Sequence, residues 1–147
     1  QTVGYDPEGV LRIATLDRGS RAGIQLDDAV INGDGAVGRV VEVTPFFSKV
    51  LLIVDPSSKL PVLVQKGRWW GIAAGTGGRL EMQYVAQDAK LRIGQTIVTG
   101  AGRSFRSGIT VGRIAAIFRP EGALYQTALV EPAVRFGRLG PVLVLRR

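Results

Sequence analysis

Three groups of residues have types and spacings that chemistry uses. The first is Gly33, Gly35 and Gly38 in GDGAVGRVVEV, a G-x-G-x-x-G spacing. In a dinucleotide site such glycines let the backbone approach a pyrophosphate seated on the N-terminus of the following helix. Here RVVEV follows, which is β-branched and too short for that helix, so NGDG reads as a hairpin turn. The second group is Ser57-Ser58-Lys59, nominally a serine with an activating lysine, but set in a Pro-flanked turn. The third is Asp27-Asp28, which reads as a turn before a strand at 29–31 rather than as an acid/base pair. The chain has no Cys and no His. That excludes a Ser-His-Asp triad, a thiol nucleophile and structural zinc sites. No catalytic, metal-binding or cofactor-binding residue is assigned, and an enzyme is not expected.

Chemistry of binding is better represented. Phe46-Phe47 follows Thr44-Pro45 in a turn between two strands, and Trp69-Trp70 stands between Lys66-Gly67-Arg68 and Gly71. Adjacent residues of a strand point to opposite faces, so both rings of a pair cannot enter one core. At least one of each pair faces a neighbouring unit, a partner or solvent. Phe105 lies between Arg103 and Arg106 in GRSFRSG. Aromatic residues and Arg are enriched at interface hot spots. Phe46, Phe47, Trp69, Trp70, Arg103, Phe105 and Arg106 are therefore the candidate partner-binding residues.

The elements that must hold these residues are short strands. Of 147 residues 20 are glycine, which favours tight turns over long helices. RLEMQYV alternates, with Leu80, Met82 and Tyr84 on one face and Arg79, Glu81 and Gln83 on the other. KVLLIVD and PVLV are apolar runs suited to strands covered on both faces. Turn signals fall at 32–35, 75–78, 100–102 and 120–122. Single helical turns are expected after Asp55-Pro56 and after Glu131-Pro132. The chain reads as all-β.

The pattern is also written twice. RAGIQLDDAVINGDG (21–35) aligns with DAKLRIGQTIVTGAG (88–102) at an offset of 67. Seven extra residues then enter the second copy around RSFRSGIT. Val37-Gly38-Arg39 matches Val111-Gly112-Arg113 at offset 74, LLIVDP (51–56) matches TALVEP (127–132) at offset 76, and LPVLV (60–64) matches GPVLV (140–144) at offset 80. Each copy has five or six strands, and a sheet that small removes its open edges by closing. The expected architecture is two small tandem β-barrels related by internal duplication, residues 1–70 and 71–147, with little helix. Terminal strands are open to exchange between the two, and VLRIATL near the start could complete either.

Charge separates the copies. Residues 1–74 carry eight basic and eight acidic side chains, whereas residues 75–147 carry eleven basic and four acidic ones, so the net +7 belongs to the second half. An anionic partner, a lipid surface and a nucleic acid would all answer that field. A basic nucleic-acid-binding barrel is the alternative reading. It lacks a strand with aromatics at i, i+2 flanked by basic residues, so no nucleic acid is expected. No apolar run approaches the ~20 residues of a spanning helix. The start QTVGYDPEG has no basic segment followed by an apolar one, and reads as the middle of a longer chain.

The motifs D-x-G-S-x-x-G (17–23), V-x-x-x-D-G-x-V-G-R-V (30–40), S-x-V-L-L-x-x-D-P-x-S (48–58) and V-x-V-Q (62–65) resemble the periplasmic region of the MreC family of rod shape-determining proteins. GTG, YV, the G-x-x-I-V-T-G run, G-I-x-V-G-R-I and A-L-V-E-P-A continue the likeness through the second half. The chain departs from the family pattern at GRWWG and GRSFRSG. The resemblance implies two barrels of the trypsin-like type, on a non-catalytic scaffold of the cell-wall elongation complex. It implies a location in the periplasm, with anchoring to the inner membrane through an N-terminal span outside this sequence. The partners it implies are the elongation-specific penicillin-binding transpeptidase, MreD, MreB through a cytoplasmic tail, and further copies of the chain as dimers or filaments.

Overall fold

Residues 2–5 and 12–146 are described by a computed structural model. Their strands are β1 Thr2–Tyr5, β2 Ile13–Leu16, β3 Ala29–Asn32, β4 Gly35–Val43, β5 Ser48–Leu52, β6 Lys59–Val64, β7 Trp70–Gly75, β8 Leu80–Ala86, β9 Thr96–Thr99, β10 Thr110–Phe118, β11 Tyr125–Pro132 and β12 Leu143–Leu145. A 3-10 turn at Ser20–Ala22 is the one helical segment among the described residues. Neither expected helical turn forms. After Asp55, the aspartate accepts the Ser57 N–H and hydroxyl and so closes the chain locally. After Glu131, β11 runs on through Pro132 and the Ala133 N–H donates to Val111.

The strands form an open six-stranded sheet, β1-β2-β5-β4-β3-β12, and a closed six-stranded barrel, β7-β8-β11-β10-β9-β6, in which β6 bonds back to β7. The two orders are the same order. β2, β5, β4 and β3 correspond to β8, β11, β10 and β9. The last strand of each copy has changed places: β6 completes the second unit and β12 the first. β6 lies within residues 1–70 yet is hydrogen-bonded on both sides to strands of the second unit, and residue 70 opens β7. β2, the core of VLRIATL, belongs to the open sheet, between β1 and β5.

The duplication extends to the irregularities. Val37 is an extra residue in β4 against β3, and Val111 is the same extra residue in β10 against β9. Both long strands slip again at equivalent places, between Val40 and Glu42 and between Ile114 and Ala116. Such bulges bend and twist a small sheet toward closure. The register also corrects one match. Arg39 pairs with Leu51 and Arg113 with Glu131, so Leu51 corresponds to Glu131 at offset 80, not to Thr127 at 76. LLIVDP and TALVEP resemble one another four residues out of structural register.

One apolar cluster runs through both units, with Leu16, Val40 and Leu52 in the first and Met82, Ile97 and Ile114 in the second. Val50 to Leu52 are all buried, as a strand covered on both faces should be, and Ile53 and Val54 stay buried in the turn that follows, whereas β6 alternates, with Pro61 and Leu63 half-buried. β8 departs from strict alternation. Leu80 and Met82 are buried, but Tyr84 is exposed and Val85 takes the inner position. The ladder slips there between Gln126 and Ala128, and Tyr84 has a φ of 62°. One extra residue reverses the side-chain parity of everything beyond it.

The units meet where β4 and β10 begin. Gly35 lies so close to the Thr110 carbonyl that no side chain would fit. The Gly77 N–H donates to Val54 (2.7 Å), and Arg12 Nε donates to the Gly77 carbonyl (2.6 Å).

Candidate functional site

The residues with catalytic appearance are spent on structure. Asp55 is wholly buried and accepts hydrogen bonds from Ser57 Oγ (2.6 Å), the Ser57 N–H (2.8 Å) and the Arg12 N–H (2.6 Å). Burial pushes its carboxyl pKa up, but the Ser57 hydroxyl, the two backbone donors and the Arg12 charge outweigh that and hold it below 3.8. A carboxylate so held is a poor general base. Lys59 bonds neither Ser57 nor Ser58 among the described residues. Asp27 pairs with Arg39 (3.1 Å), and Asp28 accepts the Gln25 N–H in the turn before β3. Gly33-Asp34 forms the β3–β4 hairpin turn, with Asn32 Oδ1 accepting from Asp34 and Gly35, and a nine-residue strand follows where a dinucleotide site requires a helix.

The candidate aromatics separate into three situations. Phe46 and Phe47 stand at the tip of the β4–β5 hairpin, 60% and 52% exposed. Thr44 fixes that tip through hydrogen bonds with Phe47, and the Arg21 guanidinium lies 5.4 Å from the Phe46 ring centre. Trp69 packs against the core while Trp70, 60% exposed, opens β7 on the outer face. The positive φ values of Gly67 and Arg68 make the sharp turn before the pair, and the two adjacent side chains then point to opposite faces. Phe105 departs from the expectation of a surface anchor, since it is only 7% exposed and belongs to the core cluster. Its ring pins the loop of residues 100–109 to the body, leaving Arg103 and Arg106 outside.

Other exposed apolar residues escaped the reading of the sequence. Tyr84 and Tyr125 meet edge to face, centroids 5.6 Å apart, and Phe118 and Leu124 are exposed near the β10–β11 hairpin. Trp70 and Tyr125 lie at the starts of β7 and β11, and Tyr84 and Phe118 near the ends of β8 and β10. In an antiparallel barrel these are one end. Tyr84 was hidden by the bulge. Tyr125 was hidden too, because in YQTALV the polar Gln126 faces inward and the ring beside it faces outward, against the hydropathy of the stretch. The hairpin tips of both units thus carry exposed rings.

A cavity of about 380 Å³ lies where the chain crosses from the open sheet to the barrel. Gly38, Arg39 and Leu51 line it from β4 and β5, Ser57 to Pro61 from the crossover, and Gly102 to Phe105 from the long loop. Among the described residues its lining includes Arg39, Lys59 and Arg103.

With this geometry in hand, the family is shown. The family model for "Rod shape-determining protein MreC, barrel core" matches residues 2–146, and the chain belongs to that family. It is 32% identical over 133 residues to the cell shape-determining protein MreC of Escherichia coli, covering 88% of this chain and 36% of that protein. The chain therefore spans about a third of that relative's length. The crystal structure of MreC from Pseudomonas aeruginosa superposes with a TM-score of 0.93 at 30% identity, over 99% of this chain and 96% of that one. A complex between penicillin-binding protein PBP2 and MreC from Helicobacter pylori contains the same fold, at a TM-score of 0.78 and 17% identity, over 97% and 92% of the two chains.

Proposed function

We propose that this member of the MreC family is a non-catalytic scaffold that binds and organises peptidoglycan synthases of the cell-wall elongation complex. The observation that carries the reading is the set of exposed rings at the hairpin tips of both units. Large apolar rings are kept outside where a partner covers them. The relative from H. pylori, found in complex with a penicillin-binding protein, supports the same partner class. On this reading the principal partner is the elongation-specific penicillin-binding transpeptidase. MreD, a cytoplasmic contact with MreB through the rest of the protein, and self-association complete the set. The two units, 1–70 and 71–147 apart from their exchanged strands, work on the periplasmic side of the inner membrane, anchored through the rest of the protein. Phe46, Phe47 and Trp70 are the anchors. Trp69 packs against the core on the other face, and Arg103 and Arg106 form a second patch.

The test is recovery of the transpeptidase with the full-length protein from solubilised envelopes. Triple substitution of Phe46, Phe47 and Trp70 by Ser should lose most of the transpeptidase while leaving folding intact. Undiminished recovery would remove these rings from the interface. Absence of any cell-wall synthase with the parent protein would remove the function.

A further inference from the structure

We propose that one end of the closed barrel docks on an anionic lipid surface. Ten large hydrophobic residues are exposed among the described residues, and six of them, Trp70, Tyr84, Ile93, Phe118, Leu124 and Tyr125, stand at this end. Three loops form it: 65–69 between β6 and β7, 87–95 between β8 and β9, and 119–124 between β10 and β11. Strand pairing sets them side by side, since Leu63 pairs with Trp70 and Tyr125 with Ala86. Leu124 and Ile93, the two most exposed of the ten at 81% and 70%, lie on the loops themselves. The loops are also tied to the barrel and to one another. The Gln65 N–H donates to the Thr96 carbonyl (2.9 Å). Gln87 donates to the Leu124 carbonyl through its N–H (3.1 Å) and to the Pro120 carbonyl through its side-chain amide (3.0 Å). The apolar side chains are thus held outward by a braced end.

Charge specifies the occupant. The three loops carry Lys66, Arg68, Lys90, Arg92 and Arg119 against Asp88 and Glu121, a net +3. All five cations are exposed, and none forms an ion pair with a described residue. Arg119 bonds only neutral groups, the Gln126 side chain and the Ala89 carbonyl. Lys66, Arg92 and Ile93 line one surface depression, so charged and apolar groups are interleaved. The first unit supplies the contrast. Leu26 holds the place of Ile93, 67 residues earlier, and Phe46 and Phe47 hold the hairpin tip. Yet loops 17–28 and 44–47 carry two basic and three acidic residues. Loops 87–95 and 119–124 carry three and two, and 65–69 adds two further cations. Both ends are apolar, and only the second is cationic as well. Rings and aliphatic tips among Lys and Arg suit a membrane interface, where the apolar groups enter the headgroup layer and the cations meet lipid phosphates. A protein partner fits this end less well, because interface cores exclude Lys and seat each ring in a packed pocket. Phe46, Phe47 and Trp70 stay with the protein partner proposed above.

The test is co-sedimentation of the 147-residue chain with sucrose-loaded vesicles. The vesicles are phosphatidylcholine with about 30% phosphatidylglycerol, or phosphatidylcholine alone, at about 50 mM salt. The anionic vesicles should be bound about tenfold or more tightly, with affinity falling as salt rises. K66E/R92E should lose about tenfold or more in affinity for them, and I93S/L124S about fivefold or more. All four side chains are exposed, so both variants should keep the parental melting temperature. L26S, in the equivalent loop of the first unit, should bind like the parent. The proposal is overturned by any of four results: no binding at about 1 mM anionic lipid, equal binding to the neutral vesicles, an L26S loss as large as that of I93S/L124S, or parental vesicle binding by I93S/L124S. If that last variant also lost the transpeptidase, this end would be a protein contact instead. None of the vesicle measurements needs a synthase, so they stand or fall apart from the proposed function.

Discussion

Gly38 of β4 runs directly beneath the Leu51 carbonyl of β5, closer than any side chain would allow, and Gly112 stands in the same relation to Glu131 in the second unit. Neither glycine has a positive φ, so the requirement is space rather than backbone conformation. The obstacle in both cases is backbone, which has nowhere to move. Gly38→Ala and Gly112→Ala should each cost about 2 kcal/mol or more, as overpacking does. Urea denaturation would show it as a lower midpoint. A parental midpoint in either variant would mean the strands separate more easily than this packing implies.

Asp55 ties acid stability to the junction of the units. Its pKa is depressed on folding, so its contribution is complete above the unfolded value near 3.8 and is lost as pH falls through the lower folded value. Asp55→Asn should destabilise the protein at pH 7 by about 2 kcal/mol, because the charge-assisted bonds to Ser57 and Arg12 weaken. It should also flatten the loss of stability that the parent shows below pH 4. Stability curves at several pH values test both expectations. Parallel acid limbs in parent and variant would count against the assignment.

Gln126 is wholly buried inside the closed barrel. Its amide donates to the carbonyls of Ala86 (2.8 Å), Gln87 (3.2 Å) and Ala89 (2.8 Å), and its oxygen accepts from Arg119 Nε (3.1 Å). Gln126→Leu keeps the volume but takes the acceptor from Arg119 and the amide donor from the Gln87 carbonyl, while Ala86 keeps the Ala89 N–H and Ala89 keeps Arg119, so it should cost about 1–3 kcal/mol. Faster hydrogen exchange should appear first around residues 86–89. Unchanged exchange there would show that water replaces the amide without loss.

The two adjacent tryptophans should behave oppositely. Trp69→Ala removes a ring packed on the core and should cost about 2–3 kcal/mol. Trp70→Ala removes an exposed ring and should change stability by about 0.5 kcal/mol or less while weakening partner binding. Denaturation midpoints and transpeptidase recovery, measured on the same two variants, separate these roles.

Much of the molecule was written locally. The strands, the NGDG turn, the exposure of Phe46 and Phe47 and the repetition of V-G-R follow from alternation, turn chemistry and spacing, which depend on neighbours in the chain. Other features depend on contacts that no local pattern carries. The bulge at Tyr84 arises from register against β11, and a single inserted residue was enough to turn that ring outward. Phe105 looked like a surface anchor because arginines flank it, but the loop length that lets it reach the core shows only in three dimensions. The exchange of β6 and β12 is the clearest case. LPVLV and GPVLV offer β9 and β3 nearly the same strand, and here β6 bonds β9 while β12 bonds β3. Two copies of one pattern are locally equivalent, so long-range pairing alone decided which unit each would join.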